Sequence, residues 1–162
     1  MPLKDLERTL RVKLAETLPG IEAQMRFAPA PSRTGWKAGY FPEDARIAAA
    51  LLLIYDGPAG PALALTVRAS GLTRHAGQIS LPGGAADAGE TLAQTALREA
   101  QEEIGVDPGS VIVLGELTPV HVLVSGFTLH PVHRTRPQQV PTASPPTTPT
   151  GPPGPPPRPL PA

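Results

Sequence analysis

The spacing of apolar positions changes along this chain, and each change marks an element. Leu3, Leu6, Leu10 and Leu14 recur at helical spacing among Lys4, Asp5, Glu7 and Arg8, which predicts an amphipathic helix over residues 3–17 and not a signal peptide. The run IAAALLLIY at 47–55 stops before the turn-forming Asp56-Gly57-Pro58 and is too short to cross a bilayer, so it predicts a buried strand over 46–55. An irregular stretch holding Trp36 and Tyr40 precedes it. Further strands are expected at 61–68, near 78–82, near 110–118 and near 127–132. Leu92, Ala96, Leu97, Ala100 and Ile104 return to helical spacing, Asp87-Ala-Gly-Glu90 reads as a capping-box-like start, and Gly105 is a natural stop. One helix is therefore predicted from about Glu90 to Ile104. Mixed strands around a central helix indicate an α+β or α/β sandwich.

Composition narrows the function classes. The chain has no cysteine, which excludes disulfides, thiol catalysis and a zinc-thiolate site. Residues 1–132 carry 11 basic and 14 acidic side chains, a net charge of −3, which argues against a nucleic-acid partner. No apolar run reaches the roughly 18 residues of a membrane helix, so no membrane partner is expected and a cytoplasmic location is. Composition shifts sharply at His133. Residues 133–162 contain no Asp, Glu or Lys, 12 of the 30 are proline, and Val140 and Leu160 are the only large aliphatics. Such a segment cannot bury a core and is expected to be disordered with polyproline II bias. PxxP spacings at 152–161 follow almost automatically from that composition, so a role as a groove ligand carries little weight. The expected organisation is an N-terminal helix and connector at 1–39, a catalytic domain at 40–132 and a proline-rich tail at 133–162.

The predicted central helix carries the chemistry. Glu99, Glu102 and Glu103 stand at i, i+3 and i+4, which puts three carboxylates on one flank of the apolar stripe with Arg98 beside them. Like charges at i,i+4 cost about 0.2–0.5 kcal/mol on an exposed helix and more in a cleft. Most glutamate runs are solvated faces. The alternative is that a cation compensates them, and oxygen-only ligands favour Mg²⁺ or Mn²⁺ bridging a substrate phosphate.

The surrounding pattern decides between these readings. Gly84, Glu90, Arg98, Glu99, Glu102, Glu103 and Gly105 fill all seven fixed positions of G-x5-E-x7-R-E-U-x-E-E-x-G-U; of the apolar positions nearby, Ile104 and Val106 are bulky and Ala100 is small. Chance agreement at a given start has a probability on the order of 10⁻⁸ at ordinary residue frequencies. The segment resembles the Nudix box. That resemblance implies an α/β/α sandwich around a mixed sheet and divalent-metal-dependent hydrolysis of a diphosphate. It makes Glu99 and Glu103 the main metal ligands, Glu102 a further ligand or the group that activates water, and the Gly84 carbonyl part of the metal shell. Arg98 would pair with Glu90 and hold the catalytic carboxylates Glu102 and Glu103 in place.

A second motif lies upstream. Leu65-Thr66-Val67-Arg68-Ala69 and Arg74-His75-Ala76-Gly77-Gln78-Ile79-Ser80-Leu81-Pro82-Gly83-Gly84 are similar to L-L-T-x-R-[SA]-x3-R-x3-G-x3-F-P-G-G of the coenzyme A pyrophosphatase branch. Ala64 stands for the first Leu, Arg74 falls one place late behind Thr73, and Leu81 replaces Phe. Guanidinium groups grip phosphate oxygens in two-pronged fashion, so the resemblance makes Arg68, Arg74 and Gly77 the substrate-binding candidates. His75 is more simply an ordinary surface residue. The implied reaction splits coenzyme A or acyl-CoA into 3′,5′-ADP and a phosphopantetheine. Thr73 and Leu81 keep open a different nucleoside diphosphate derivative. The resemblance covers about residues 40–132, ending in Ser125-Gly126-Phe127-Thr128-Leu129-His130-Pro131-Val132. Further sheet and a second helix, which the family normally adds, are not expected here, so a truncated chain that only binds metal or ligand is the third possibility. A shifted reading frame of a GC-rich gene would give such a tail.

Overall fold

The computed structural model describes residues 1–28, 37–67 and 78–136. In chain order these form α1 (Leu3–Ala15), α2 (Gly20–Met25), β1 (Arg46–Gly57), β2 (Gly60–Leu63), β3 (Thr66–Val67), β4 (Ile79–Ser80), β5 (Gly83–Ala85), α3 (Leu92–Ile104), β6 (Ile112–Glu116), β7 (Val120–Val122) and β8 (Phe127–Arg136), with a single 3₁₀ turn at Pro108–Ser110.

The apolar run of β1 is the centre of a mixed sheet. One edge of β1 pairs in parallel with β8 over ten residues, from Arg46 with Phe127 to Tyr55 with Arg136. Its other edge is shared: β2 pairs antiparallel with Ile54–Gly57, β5 pairs antiparallel with Ala48–Ala50, and the Pro82 carbonyl takes the Leu51 amide at 2.8 Å between them. β6 and β7 add antiparallel to the far side of β8. β3 and β4 form a separate two-stranded ladder.

Because strand residues alternate faces, Ala49, Leu51 and Leu53 point one way, and Val132 joins them through its register with Leu51. They pack with Ala96, Ala100 and Ile104 of α3 and with Val106 to make the core, in which Ala49, Leu51, Leu53, Val106 and Val132 are fully buried. Truncating either leucine to alanine costs about 2–5 kcal/mol. The opposite face is met by α1: Thr135 donates to Glu7 at 3.3 Å, and Gly115 lies so close to Leu14 that a β-carbon there would press on it. The sheet therefore lies between α3 and α1, the mixed α+β sandwich expected.

Several boundaries move. The strand expected at 61–68 is two strands, because the chain must leave the β1 edge after Leu63 to make room for Pro82 and β5. The helix begins at Leu92 and not near Glu90, since the capping box is Thr91 with Gln94: the Gln94 amide donates to the Thr91 hydroxyl at 3.2 Å and the Thr91 amide to the Gln94 side chain at 2.8 Å. Gly105 stops it as expected, with φ of 66°. α2 and β7 were not anticipated. The strand ending the domain does not stop at Val132. β8 continues through His133, Arg134, Thr135 and Arg136, all buried, because each pairs with β1, so the tail expected from His133 starts inside the sheet. The remainder of that tail lies outside the described residues.

Candidate active site

The loop from β5 into α3 and the second half of α3 bring the motif residues together. Arg98 is the hub. Its Nε and Nη2 donate to Glu90 at 2.8 and 3.1 Å, its Nη1 to Glu99 at 2.8 Å, and its Nη2 also to the Ala85 carbonyl at 3.1 Å. Glu102 lies 3.7 Å from Nη1. The guanidinium fork thus fixes a helix carboxylate and a loop carboxylate relative to the β5 backbone, a task for which an ammonium lacks donors.

Glu90 is saturated. It accepts from Arg98, from the Asp87 amide at 3.0 Å and from the Thr95 hydroxyl at 2.9 Å. These donors, Arg98 first and the Asp87 amide second, hold its carboxyl down to a pKa of about 2, while the two carboxylates push the Arg98 guanidinium up. Thr95 is fully buried beneath this pair. Sequence reasoning passed over it, because a threonine inside an apolar helical stripe looks like a gap in the pattern; the only available signal was its place one turn after Thr91.

Gly83 and Gly84 are required by close approach. A β-carbon on Gly84 would fall on the Glu99 carboxylate, and one on Gly83 on the Ala49 carbonyl. On the same strip of backbone, the Gly83 amide donates to Glu103 at 3.2 Å. Glu99 and Glu103 therefore flank the Gly83–Gly84 main chain, while Glu102 projects outward with its side chain 61% exposed. Among the described residues no three carboxylate or imidazole side chains gather closely enough to hold a metal ion. Arg98 engages Glu99, and Glu102 points to solvent. Two carboxylates beside a glycine backbone still fit a hard cation that takes one or two carboxylates and completes its shell with water and phosphate.

Arg68, Arg74, His75 and Gly77 lie outside the described residues. Their flanks are described: Thr66 pairs with Ser80 and Val67 with Ile79, and the Thr66 and Ser80 hydroxyls are 3.0 Å apart, so the ends of the motif segment are clamped together. No helix among the described residues is long and apolar enough to cross a membrane.

The chain is similar to an uncharacterized Nudix hydrolase NudL of Pectobacterium atrosepticum, with 50% identity over 88 residues that cover 54% of this chain and 45% of the relative. A NudL of Yersinia pestis is 40% identical over 114 residues, covering 70% of this chain and 56% of the relative. The chain thus spans about half the length of these curated relatives. Among solved structures it is similar to a Nudix hydrolase from M. smegmatis, RenU, with 29% identity, a TM-score of 0.49, and coverage of 59% of this chain and 63% of that one. The family model for the NUDIX domain matches residues 45–145, and with the box residues assembled around Arg98 the chain belongs to the Nudix family, whose members act on phosphoric anhydride bonds.

Proposed function

We propose that this chain is a Mg²⁺- or Mn²⁺-dependent pyrophosphohydrolase that splits coenzyme A or acyl-CoA into 3′,5′-ADP and (acyl-)4′-phosphopantetheine. The observation that carries the hydrolytic reading is the Arg98 hub, which orders Glu99 against the Gly84 backbone with Glu103 bonded to the adjacent Gly83 amide. In this reading Glu99 and Glu103, with the Gly84 carbonyl, would hold the cation, and Glu102, exposed at the rim, is a further ligand or takes the proton from attacking water. The bound cation supplies a lowered water pKa and neutralises charge developing on the phosphoryl oxygens. Arg98 is a positioning residue: it keeps Glu90 and Glu99 in one geometry through the reaction.

The coenzyme A assignment rests on Arg68, Arg74 and Gly77 within the upstream motif, whose guanidinium groups suit the diphosphate and the 3′-phosphate. A cytoplasmic location goes with a substrate of that kind. Thr73 and Leu81, where the branch has Arg and Phe, favour the second reading, hydrolysis of another nucleoside diphosphate derivative. The deciding experiment is release of 3′,5′-ADP from coenzyme A by the purified 162-residue chain, with and without Mg²⁺. Metal-dependent release is the expected result. Turnover of other dinucleotides or sugar nucleotides without coenzyme A cleavage would transfer the assignment to the second reading, and no turnover of any diphosphate would leave a chain that only binds.

A further inference from the structure

Two arginines close the parallel ladder of β1 and β8. Val132 is in register with Leu51, Arg134 with Leu53 and Arg136 with Tyr55, so both arginines stand on the core face of the sheet. Leu53 is fully buried in that core, and Tyr55 packs against it. On the far side of β8, Arg134 is in register with Val113 of β6. The surroundings are therefore apolar. Arg134 is 4% and Arg136 8% exposed, and three of their donors, Nε of Arg134 with Nε and Nη1 of Arg136, are buried without an acceptor among the described residues.

No carboxylate side chain neutralises them. All 14 Asp and Glu of the chain belong to the described residues. Among those residues their ion pairs go to Arg8, Arg11, Lys13 and Arg98, and none goes to Arg134 or Arg136. Glu7 reaches β8 only from the opposite face, where it accepts from Thr135 at 3.3 Å. Burial pushes the Arg134 guanidinium down, and no carboxylate raises it again. A buried lysine or histidine relieves such a cost by shedding its proton, whereas an arginine in a protein stays charged. Two uncompensated cations on alternate residues of one strand, about 7 Å apart along it, repel each other and call for a counter-charge from outside the chain.

We propose that Arg134 and Arg136 together bind a small dianionic oxyanion of the phosphate class. Two fixed positive charges match its charge, and its oxygens accept the N–H groups that the protein leaves unbonded. The enclosure of both side chains restricts the ligand to a free anion or to a phosphoryl group at the end of a larger molecule. The site stands apart from the carboxylate cluster. Leu53, in register with Arg134, lies about 10 Å along β1 from Ala50, which pairs with Gly83, whose amide binds Glu103. The proposal is therefore independent of the hydrolase reading.

The test follows thermal unfolding of the full chain while inorganic phosphate is titrated at constant ionic strength. The melting temperature is expected to rise by several degrees and to saturate in the millimolar range, as linkage to a site present only in the folded state requires. Phosphate also stabilises folded proteins by exclusion from their surface, which does not saturate, so the variants decide. Arg134→Leu and Arg136→Gln are each expected to raise the half-saturating concentration at least tenfold, whatever their melting temperatures in phosphate-free buffer, and either one suffices if the other does not fold. Adenosine 5′-monophosphate is titrated separately. A response to it that the variants lose places the phosphoryl end of a larger molecule in the site; no response, beside a phosphate response that the variants lose, confines the site to the free anion, and both uphold it. A phosphate response that never saturates, or that the variants keep, would overturn the proposal.

Discussion

Arg98 grips Glu90 through two nitrogens, at 2.8 and 3.1 Å, across eight residues of sequence. An ammonium cannot reproduce that fork while also reaching Glu99 and the Ala85 carbonyl. Arg98→Lys is expected to lower kcat about 100-fold with a smaller change in KM, since the cluster remains but loses its order. Steady-state kinetics alongside circular dichroism checks this; kcat within threefold of wild type would remove Arg98 from its positioning role.

The same pair sets an acid limit. Glu90 titrates at about 2 when folded against 4.5 as an ordinary carboxyl, so between those values the unfolded chain binds more protons. The stability contributed by the pair is complete above pH 4.5 and lost as pH falls toward 2. Glu90→Gln should flatten that part of the stability curve, measured by urea unfolding at stepped pH. A curve that keeps the wild-type slope there would show that other carboxyls dominate.

At Gly84 the constraint is steric. Gly84→Ala forces the Glu99 carboxylate out of its place, with no positive φ to strain the backbone. Hydrolytic activity should fall at least 100-fold while the melting temperature drops only a few degrees. Retained activity would mean that Glu99 functions from another position.

Among the glutamates, Glu103→Gln and Glu102→Gln should each abolish turnover and leave the fold intact, because neither side chain is part of the core. Mn²⁺ binding followed by electron paramagnetic resonance separates their roles: Glu103→Gln is expected to weaken it at least tenfold, whereas Glu102→Gln weakens it less if Glu102 serves chiefly to accept the proton. An unchanged rate in either variant would invalidate that residue's role.

Thr95→Val replaces a buried hydroxyl that supplies one of the donors to Glu90. The expected cost is about 1–3 kcal/mol in denaturant unfolding, with Thr95→Ser recovering most of it. A loss confined to Thr95→Ser, with Thr95→Val close to wild type, would point to methyl packing instead.

Much of the fold was legible because it is written locally. The run at 47–55 could only be a buried strand, Gly105 could only be a stop, and the box spacing picks out Glu90, Arg98 and the glutamates. What was missed depends on remote partners. His133-Arg134-Thr135-Arg136 reads as solvent-exposed sequence, yet pairing with β1 draws it into the sheet; propensity is overridden by the neighbouring strand. α2 is six residues long, too short for a periodic signal, and is tied down by Gln24 donating to the Thr118 and Pro119 carbonyls.

That override has a measurable cost. Among the described residues, Nδ1 of His133, Nε of Arg134, and Nε and Nη1 of Arg136 are buried without a hydrogen-bond partner, and burial lowers the pKa of His133 and Arg134. A histidine with a lowered folded pKa gives stability that is fully present above its ordinary value of 6.5 and declines as pH falls below it. His133→Val should remove that decline, and Arg134→Leu, set beside Leu53 in register, should raise the melting temperature by several degrees. A lowered melting temperature in Arg134→Leu would show that the guanidinium has a stabilising partner.

The parallel pairing of β1 with β8 also bears on how the chain reaches its native state. The most apolar strand is synthesised before its longest partner among the described strands, which follows about eighty residues later, so this ladder cannot close until β8 has left the ribosome. Until then Ala48 to Leu53 present an unpaired, apolar edge. Contacts of such sequence separation slow folding and leave the nascent chain exposed to aggregation until they form.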